Sequence, residues 1–281
     1  MPELAEAEFY RKRWDQAGRS QIVTAVLTHD GKKLFRGIPL VQFHRALQGA
    51  RLEFSTTAAK QILFRFNRKI WLGIHLGMSG ELSVKSAATT PGKHDHLALR
   101  TRRHLLVFSD PRMFGRIQFH QGREAPAWWT RIAPAILSLA FTREAVNFFL
   151  QRRARAPLKA VLLMQERFPG IGNWMADEIL WRAAIHPRRL AGSLTPAEVR
   201  TLWQECRKVC RLALRTIAGQ GGRLPPNLNV HIPDTWLFNH RWEKGGRCPK
   251  TGRLLVREEI GGRTTCWSPG RQKPPVPSRR T

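Results

Sequence analysis

Short runs of alternating or continuous apolar residues fill the chain between residues 22 and 120, and turn-forming residues separate them. Such runs at this spacing are typical of a β-sandwich or a β-barrel. A helix is predicted before them, over residues 3–14, because Glu3, Glu6 and Glu8 stand in its first turns, where the helix dipole favours negative charge. The predicted strands cover residues 22–28, 52–54, 61–66, 70–75, 96–101, 105–109 and 116–119.

The apolar spacing changes to a helical period in the second half of the chain. Helices are predicted over residues 142–151, 157–167, 174–185 and 196–217. The last helix begins with a capping box formed by Thr195 and Glu198, with Pro196 at the first helical position. Strands followed by helices indicate the α+β class.

Three further features complete the layout. Cys206 and Cys210 lie one turn apart on the last helix; a metal-binding pair is one interpretation, and small core residues are the favoured one. Residues 236–272 predict a small β-hairpin module. The tail at 273–281 is rich in Pro and Arg and is expected to be disordered.

The charge balance indicates a polyanionic partner. The 281 residues carry 48 Lys and Arg against 20 Asp and Glu, which gives a formal net charge of +28. Self-repulsion makes such a charge costly, and a polyanion offsets it. Nucleic acid is therefore favoured, with an anionic membrane surface as the alternative. A basic surface that serves only solubility explains less, because the excess is rich in Arg, which suits forked phosphate contacts.

The apolar runs are too short to cross a bilayer, since the longest extend over about eleven residues, as at 132–142. The N-terminus lacks the basic and apolar segments of a signal peptide, and four cysteines do not make a disulfide scaffold. We therefore expect a cytoplasmic protein that is not secreted and has no membrane partner.

A glycine-rich turn joins two of the predicted helices. It reads Pro169-Gly170-Ile171-Gly172-Asn173, and such a turn presents backbone N–H groups at a helix N-terminus, where a phosphate binds. An ordinary corner between two helices also favours glycine, so the turn alone leaves both interpretations open.

This turn is one of several separated motifs that together resemble the formamidopyrimidine-DNA glycosylase and endonuclease VIII family. The motifs, in chain order, are residues 1–8, Lys60, residues 75–80, residues 110–115, residues 170–180 and residues 262–265. The resemblance implies an N-terminal helix plus β-sandwich, a helix–two-turns–helix domain and a β-hairpin finger. The implied boundaries are 1–130, 131–225 and 226–272, with the disordered tail at 273–281.

The resemblance also implies the chemistry. It assigns catalytic roles to Pro2, Glu3, Lys60 and Arg263 in a bifunctional DNA glycosylase and apurinic/apyrimidinic lyase that removes oxidised or ring-opened bases. Removal of Met1 leaves a proline amine, which is a good nucleophile because an α-amino group titrates near ~8. Glu3 would move protons to the opening sugar ring. An iminium at C1′ then leads to β- and δ-elimination.

The implied DNA contacts fall into two groups. Phosphate contacts around the flipped nucleotide are assigned to His75, Asn173 and the Gly170 and Gly172 backbone, together with Lys60 and Arg263. Met78, Arg112 and Phe114 match the trio that fills the space left by the flipped base. The expected partner is double-stranded DNA with a damaged base or an abasic site, bound by a monomer.

The finger departs from the family pattern Cys-x2-Cys-x16-Cys-x2-Cys. That spacing falls on Cys248, Thr251, Ser268 and Arg271, of which only the first supplies a thiolate. We therefore expect no zinc and no cofactor, as in the zincless members of the family. Packing should hold the hairpin instead, with contributions from Trp242, Leu254 and Trp267.

Two other functions compete with this hypothesis. One is a catalytically silent binder of damaged or distorted DNA, which would not need Pro2 and Glu3. The other is a basic RNA-binding protein, which would not need Met78, Arg112 and Phe114. The Gly- and Pro-rich segment 219–234 does not resemble the lesion-capping loop of 8-oxoguanine enzymes, so a broad lesion range is expected.

Overall fold

The structure is a computed structural model, and it describes residues 2–29, 33–220 and 224–275. By internal contacts the chain divides into two compact units. The first comprises Met1–Ile132 with Ile217–Leu228, and the second Ala133–Thr216 with Asn229–Thr281. The predicted disordered tail lies mostly outside the described residues.

The first unit contains two four-stranded antiparallel sheets, with strand orders β1-β6-β7-β5 and β2-β3-β4-β8. The strands are β1 Ala25–Thr28, β2 Leu52–Ala58, β3 Gln61–Phe66, β4 Ile70–His75, β5 Glu81–Ser86, β6 Asp95–Arg100, β7 His104–Ser109 and β8 Arg116–Gln121. Their central residues are buried in runs, such as Ile70–Ile74 in β4, because these strands lie inside the unit.

The first helix, α1 (Leu4–Gly18), packs on strands of both sheets. Phe9 and Trp14 are fully buried, and the Trp14 indole N–H donates to the carbonyl of Ser83 in β5 at 3.0 Å. This unit also holds a 3-10 helix at Lys33–Phe35 and the short helices α2 (Leu40–Leu47) and α3 (Ala127–Thr130). Strand β5, the 3-10 helix and α2 were not expected from the sequence.

The second unit is helical and ends in a hairpin. Its helices are α4 (Arg143–Arg152), α5 (Leu158–Leu162), α6 (Asn173–Ala183) and most of α7 (Pro196–Ile217). Short 3-10 helices cover Ala191–Ser193 and Leu237–His240, and β9 (Val256–Ile260) pairs with β10 (Arg263–Trp267). Sheets and helices in separate parts of the chain confirm the predicted α+β class.

Helix α7 matches its predicted bounds because both of its capping interactions form. The Glu198 N–H donates to Thr195 Oγ1 at 3.2 Å, and the Thr195 N–H donates to Glu198 Oε2 at 2.8 Å. Cys206 and Cys210 are fully buried on its inner face, as expected for core residues. Helix α5, in contrast, is much shorter than the predicted 157–167. No helix in the described part of the chain is long and apolar enough to cross a membrane.

Candidate active site and nucleic-acid interface

The N-terminal residues are fixed by the start of α1. Glu3 is the N-cap of this helix and is almost fully buried, and its N–H donates to Glu6 Oε2 at 3.2 Å. Glu3 and Glu6 form a reciprocal capping box, which the sequence analysis did not identify. Pro2 is half-buried beside it. The helix start therefore holds a carboxylate at a defined place next to the first proline.

Lys60 and His75 lie close together at one edge of the sheet formed by β2, β3, β4 and β8. Lys60 lies in the tight turn between β2 and β3, and Gln61, which follows it, pairs with His75 at the end of β4. Burial lowers the pKa of His75, and the nearby charge of Lys60 lowers it further. The His75 Nδ1 accepts a hydrogen bond from the Gly77 N–H at 3.1 Å. His75 is thus held as a neutral ring near a lysine.

Two loops of the first unit pack against each other next to His75. Gly77 has φ +65°, and a Cβ there would stand 2.4 Å from the backbone carbon of Phe114, so only glycine permits the approach. The buried carboxylate of Asp110 joins the loops, because its Oδ1 accepts from Ser79 Oγ at 2.6 Å and its Oδ2 accepts from the Gly115 N–H at 2.7 Å.

The paired loops carry all three residues of the predicted trio, and Arg112 contacts Phe114. Phe114 is 57% exposed, so core packing does not explain it, and the Arg112 guanidinium lies 5.1 Å from the centre of its ring. Met78 is half-buried in the turn of the first loop. The Arg112 N–H donates to both Ser79 Oγ and Asp110 Oδ1 at 3.3 Å, which ties its backbone to the same carboxylate.

The glycine turn of the second unit is organised by Gln165. Its amide nitrogen donates to the carbonyls of Leu163 and Ile171, each at 2.9 Å, and its Oε1 accepts the Gly170 N–H at 3.0 Å. Gly170 has φ +89°, and Gly172 is the N-cap of α6. The Gly170 N–H therefore already has a hydrogen-bond partner in Gln165. The turn places Asn173 at the first position of α6.

Asn173 and Arg263 lie close together in the second unit. The Asn173 Nδ2 donates to the carbonyl of Thr264 at 2.8 Å, and Thr264 follows Arg263 directly on β10. Gly261 and Gly262, with φ +61° and +71°, form the two-residue turn between β9 and β10, as a tight hairpin requires. Arg263 is exposed at this tip.

The residues at the zinc-pattern positions do not fit a zinc ion. Burial opposes ionisation of Cys248, but hydrogen bonds from Ser268, Thr251 and Trp181 lower the pKa of this thiol to about 7. The Arg271 guanidinium donates to the carbonyls of Trp181 and Arg182, at 3.2 and 3.3 Å. One thiol with hydroxyl and guanidinium neighbours lacks the four ligands that zinc needs. Within the described ranges, no group of three or more His, Cys, Asp or Glu residues could hold a metal ion.

The hairpin packs around different residues from those predicted. Trp181, Leu237, Cys248 and Cys266 form its buried cluster, with Leu255 packed against them. Trp267 is buried as expected, and it contacts the ring of His186. Trp242 contributes in part, because its ring is 51% exposed but packs edge-to-face on Phe238, with ring centres 5.1 Å apart. Leu254 is 56% exposed and lies outside the buried cluster.

The predicted site residues thus fall into two sets, one in each of the two compact units. The first unit carries Pro2, Glu3, Lys60, His75, Met78, Arg112 and Phe114, and the second carries Gly170, Gly172, Asn173 and Arg263. Sequence reasoning missed the residues that hold these groups in place, namely Asp110 and Gln165. Asp110 stood inside a recognised motif, but Gln165 left no signal apart from its position before a glycine turn.

Comparison with known proteins shows which family the chain belongs to. Residues 1–117 match the model of the formamidopyrimidine-DNA glycosylase N-terminal domain, and residues 132–222 match the H2TH domain of formamidopyrimidine-DNA glycosylase. A formamidopyrimidine-DNA glycosylase from Thermus thermophilus is 34% identical over 278 residues, which is 96% of this chain and 97% of the relative. One from Chloroflexus aurantiacus is 31% identical over 272 residues, 96% of each chain.

Solved structures show the same fold. The MutM (Fpg) protein of Thermus thermophilus aligns with a TM-score of 0.77 and 31% identity, over 96% of this chain and 98% of that one. A Lactococcus lactis Fpg in complex with DNA containing an abasic site aligns with a TM-score of 0.84 and 21% identity, over 97% of this chain and all of that one. The chain matches both domain models and is more than 30% identical to relatives over nearly its whole length. It therefore belongs to the formamidopyrimidine-DNA glycosylase family, and this membership supports DNA glycosylase activity in the repair of damaged bases.

Proposed function

We propose that this protein is a bifunctional DNA glycosylase and apurinic/apyrimidinic lyase that acts through Pro2 on double-stranded DNA. Its substrates are oxidised or ring-opened bases and abasic sites. The observation that carries the proposal is the placement of Glu3, a buried carboxylate fixed at the start of α1, directly after a half-buried proline. A protein that only binds DNA has no use for this pair.

The chemistry follows from the two groups. The secondary amine of Pro2, exposed by removal of Met1, attacks C1′, and the bond to the base breaks with its electron pair leaving on the base. Glu3 accepts the proton that the amine loses and delivers it to O4′ as the C1′–O4′ bond opens, and the departing base takes a proton from water. The resulting iminium acidifies the C2′ proton, so β-elimination releases the 3′ phosphate and δ-elimination the 5′ phosphate.

The cationic and amide donors supply the phosphate contacts. Lys60 and Arg263 are charged groups, and Arg263 is exposed on a tight turn whose backbone is held by the β9–β10 pairing. Such donors form short, charge-assisted hydrogen bonds with phosphate oxygens. His75 contributes a neutral ring, because burial and Lys60 lower its pKa. Asn173 contributes an amide at the start of α6, where the helix dipole favours an anion.

The loops held by Asp110 supply the wedge that replaces a flipped base. Phe114 offers an exposed aromatic face for stacking, and Arg112 carries hydrogen-bond donors for the unpaired partner base. A Phe beside an Arg on loops joined by a buried carboxylate suits insertion into a duplex, where an apolar side chain replaces the flipped base and the Arg binds its unpaired partner. The wedge therefore favours a duplex substrate over the RNA-binding alternative.

Borohydride trapping on an abasic duplex tests the nucleophile. Reduction of an iminium links the protein to DNA covalently, so chain with a free Pro2 should be trapped, and chain that keeps an N-terminal tag should not. Glu3→Gln, which keeps the size of the side chain but removes the charge, should bind the duplex and release base slowly. Trapping by the tagged chain would move the nucleophile to a lysine and overturn the assignment of Pro2.

The same experiment separates the enzyme from the silent binder. A silent binder would give no covalent product with a free Pro2 while retaining affinity for the abasic duplex. A lesion panel should then show release of several oxidised or ring-opened bases, and the protein should act as a monomer, as expected from the sequence.

A further inference from the structure

Asp177 lies at the centre of a buried network in the second unit that the proposed chemistry does not use. It stands one turn after Asn173 on α6 and is almost completely buried. Its Oδ1 accepts from the Lys159 Nζ at 2.5 Å, and its Oδ2 accepts from the Arg241 Nη2 at 2.5 Å. Lys159 and Arg241 are themselves buried. The pair of cations offsets the cost of burying the carboxylate.

The network reaches the strand that carries Arg263. Asp177 Oδ2 also accepts the backbone N–H of Cys266 at 2.9 Å. Cys266 lies three residues after Arg263 on β10, and the intervening residues are paired in register with β9. The hydrogen bond between Asp177 and the Cys266 N–H therefore fixes the position of β10 along α6. Because Arg263 lies on the same strand, its position is fixed as well.

The network also reaches the start of α6. The Lys159 Nζ donates to the carbonyl of Asn173 at 2.7 Å, so one ammonium binds both Asn173 and Asp177. Next to Lys159, the Cβ of Ala160 would stand 2.8 Å from a Cβ added at Gly261, so α5 also touches the hairpin turn. Helix α5 thereby contacts the elements that carry both Asn173 and Arg263.

We propose that Asp177 is a positioning residue that holds the Arg263 hairpin in register with Asn173, so that both donors bind the phosphates of one damaged strand. The inference rests on the proposed role of Arg263 in DNA binding. Asp177 touches no substrate; it acts through the Cys266 N–H and the Lys159 ammonium.

The alternative is that the buried charges stabilise the unit without any effect on Arg263. The two roles differ in coupling. If Asp177 acts through Arg263, then removing Arg263 should abolish most of the effect of changing Asp177. If it only stabilises the unit, the two losses should multiply, because independent sites are additive in free energy.

A double-mutant cycle decides between them. Single-turnover base release and affinity for an abasic duplex are measured for Asp177→Asn, Arg263→Ala and the double variant, at a temperature where melting curves show all of them folded. Arg263→Ala alone should lower base release by about tenfold to a hundredfold, as for the loss of a charge-assisted hydrogen bond. Asp177→Asn should lower it by roughly tenfold, and the double variant should lose little beyond Arg263→Ala.

Glu198→Gln is the matched control. Glu198 pairs with Arg189 and caps α7 in the same unit, but contacts neither the hairpin nor α6 in the described structure. It should lower the melting temperature and show no coupling to Arg263→Ala. Exchange of the Cys266 amide proton gives a direct readout, since it should become faster in Asp177→Asn and not in Glu198→Gln.

Each failure has a separate meaning. Wild-type rates in Arg263→Ala would refute the proposed role of Arg263. Slow base release by Arg263→Ala, together with losses of the two single variants that multiply in the double variant, would refute the positioning role of Asp177 but leave the proposed role of Arg263 intact. If Asp177→Asn does not fold, Arg241→Gln, which leaves the Lys159 pair intact, takes its place in the cycle. Loss of folding in both variants would overturn the proposal, because the network would then hold the whole unit.

Discussion

Replacing Asp110 with Asn removes one negative charge and one acceptor oxygen from the point where the two wedge loops meet. The carboxylate is fully buried and accepts from Ser79 Oγ, the Gly115 N–H and the Arg112 N–H. An amide keeps one acceptor oxygen, and its NH2 group then faces one of these donors. A hydrogen bond to a charged group contributes roughly 1.5–3 kcal/mol, so the free energy of unfolding should fall by about that amount.

The larger effect of Asp110→Asn should be on the rate of base release from damaged DNA. With one of these hydrogen bonds lost, Met78, Arg112 and Phe114 are held less firmly in the geometry that a wedge needs. A loss of roughly 1.4 kcal/mol in transition-state binding corresponds to tenfold, so base release from a damaged duplex should slow by about tenfold or more. Urea unfolding measures the first effect, and single-turnover base release at a temperature where both proteins are folded measures the second.

Asp95→Asn is the matched control in the same unit. Asp95 accepts from the Lys85 Nζ and the Gly92 N–H, each at 2.8 Å, and from Ser109, but it does not join the wedge loops. It should lose comparable stability and keep base release near the wild-type rate. An Asp110→Asn protein that unfolds in less urea yet releases base at the wild-type rate would refute the idea that this carboxylate organises the wedge.

Three further predictions follow from single features. Phe114→Ala should change the free energy of unfolding by no more than about 0.5 kcal/mol, because the ring is exposed. Loss of stacking should slow base release by roughly tenfold or more. Unchanged base release would contradict the wedge role of Phe114. Burial and the charge of Lys60 lower the pKa of His75 below its ordinary 6.5, so the unfolded chain binds more protons at this residue and the free energy of unfolding should fall as the pH drops below about 6.5. Urea titrations of His75→Gln at several pH values should lack this part of the pH dependence. An identical pH dependence in the variant would show that the His75 ring is not the cause. Purified protein should contain far less than one zinc per chain, and chelators should leave activity unchanged; elemental analysis that finds stoichiometric zinc after dialysis would show that the finger was misinterpreted.

The sequence predicted elements whose local signals agree with their packing. Helix α7 begins and ends as expected because Thr195 and Glu198 form the capping box that their spacing indicated. Helix α2 was missed because only Phe43 and Leu47 of its eight residues are buried, and Pro39 stands where a capping side chain would be. Leu40, Phe43 and Leu47 do stand at helical spacing, but the segment is only eight residues long and packs through contacts such as the edge-to-face pair of Phe43 and Phe119.

The site shows the same division between local and distant information. Residues with their own chemistry, such as Pro2 and Arg263, stand in motifs that the sequence displays. Asp110 and Asp177, which hold other groups in place, stand inside such motifs too, but their contacts are not visible there. Asp177 looks like any acidic residue on a helix until the fold brings Lys159 and Arg241 to it. The predicted helix over 157–167 was too long, because α5 ends at Leu162 and the Gln165 side chain binds backbone groups of the glycine turn, a contact that helix propensity does not reveal.

The way in which the hairpin is fixed also determines which chemical stress it resists. Oxidants convert cysteine thiolates to sulfenic and higher acids, and a thiolate-bound zinc centre loses its ligands in that reaction. Oxidants are also the agents that create oxidised bases, so demand for repair rises when such centres are most exposed to damage. Here Asp177 binds the strand of Arg263 through a carboxylate, and Cys248 and Cys266 are both about 1% exposed. The contact between Asp177 and the strand of Arg263 is therefore one that oxidation of thiols does not remove directly.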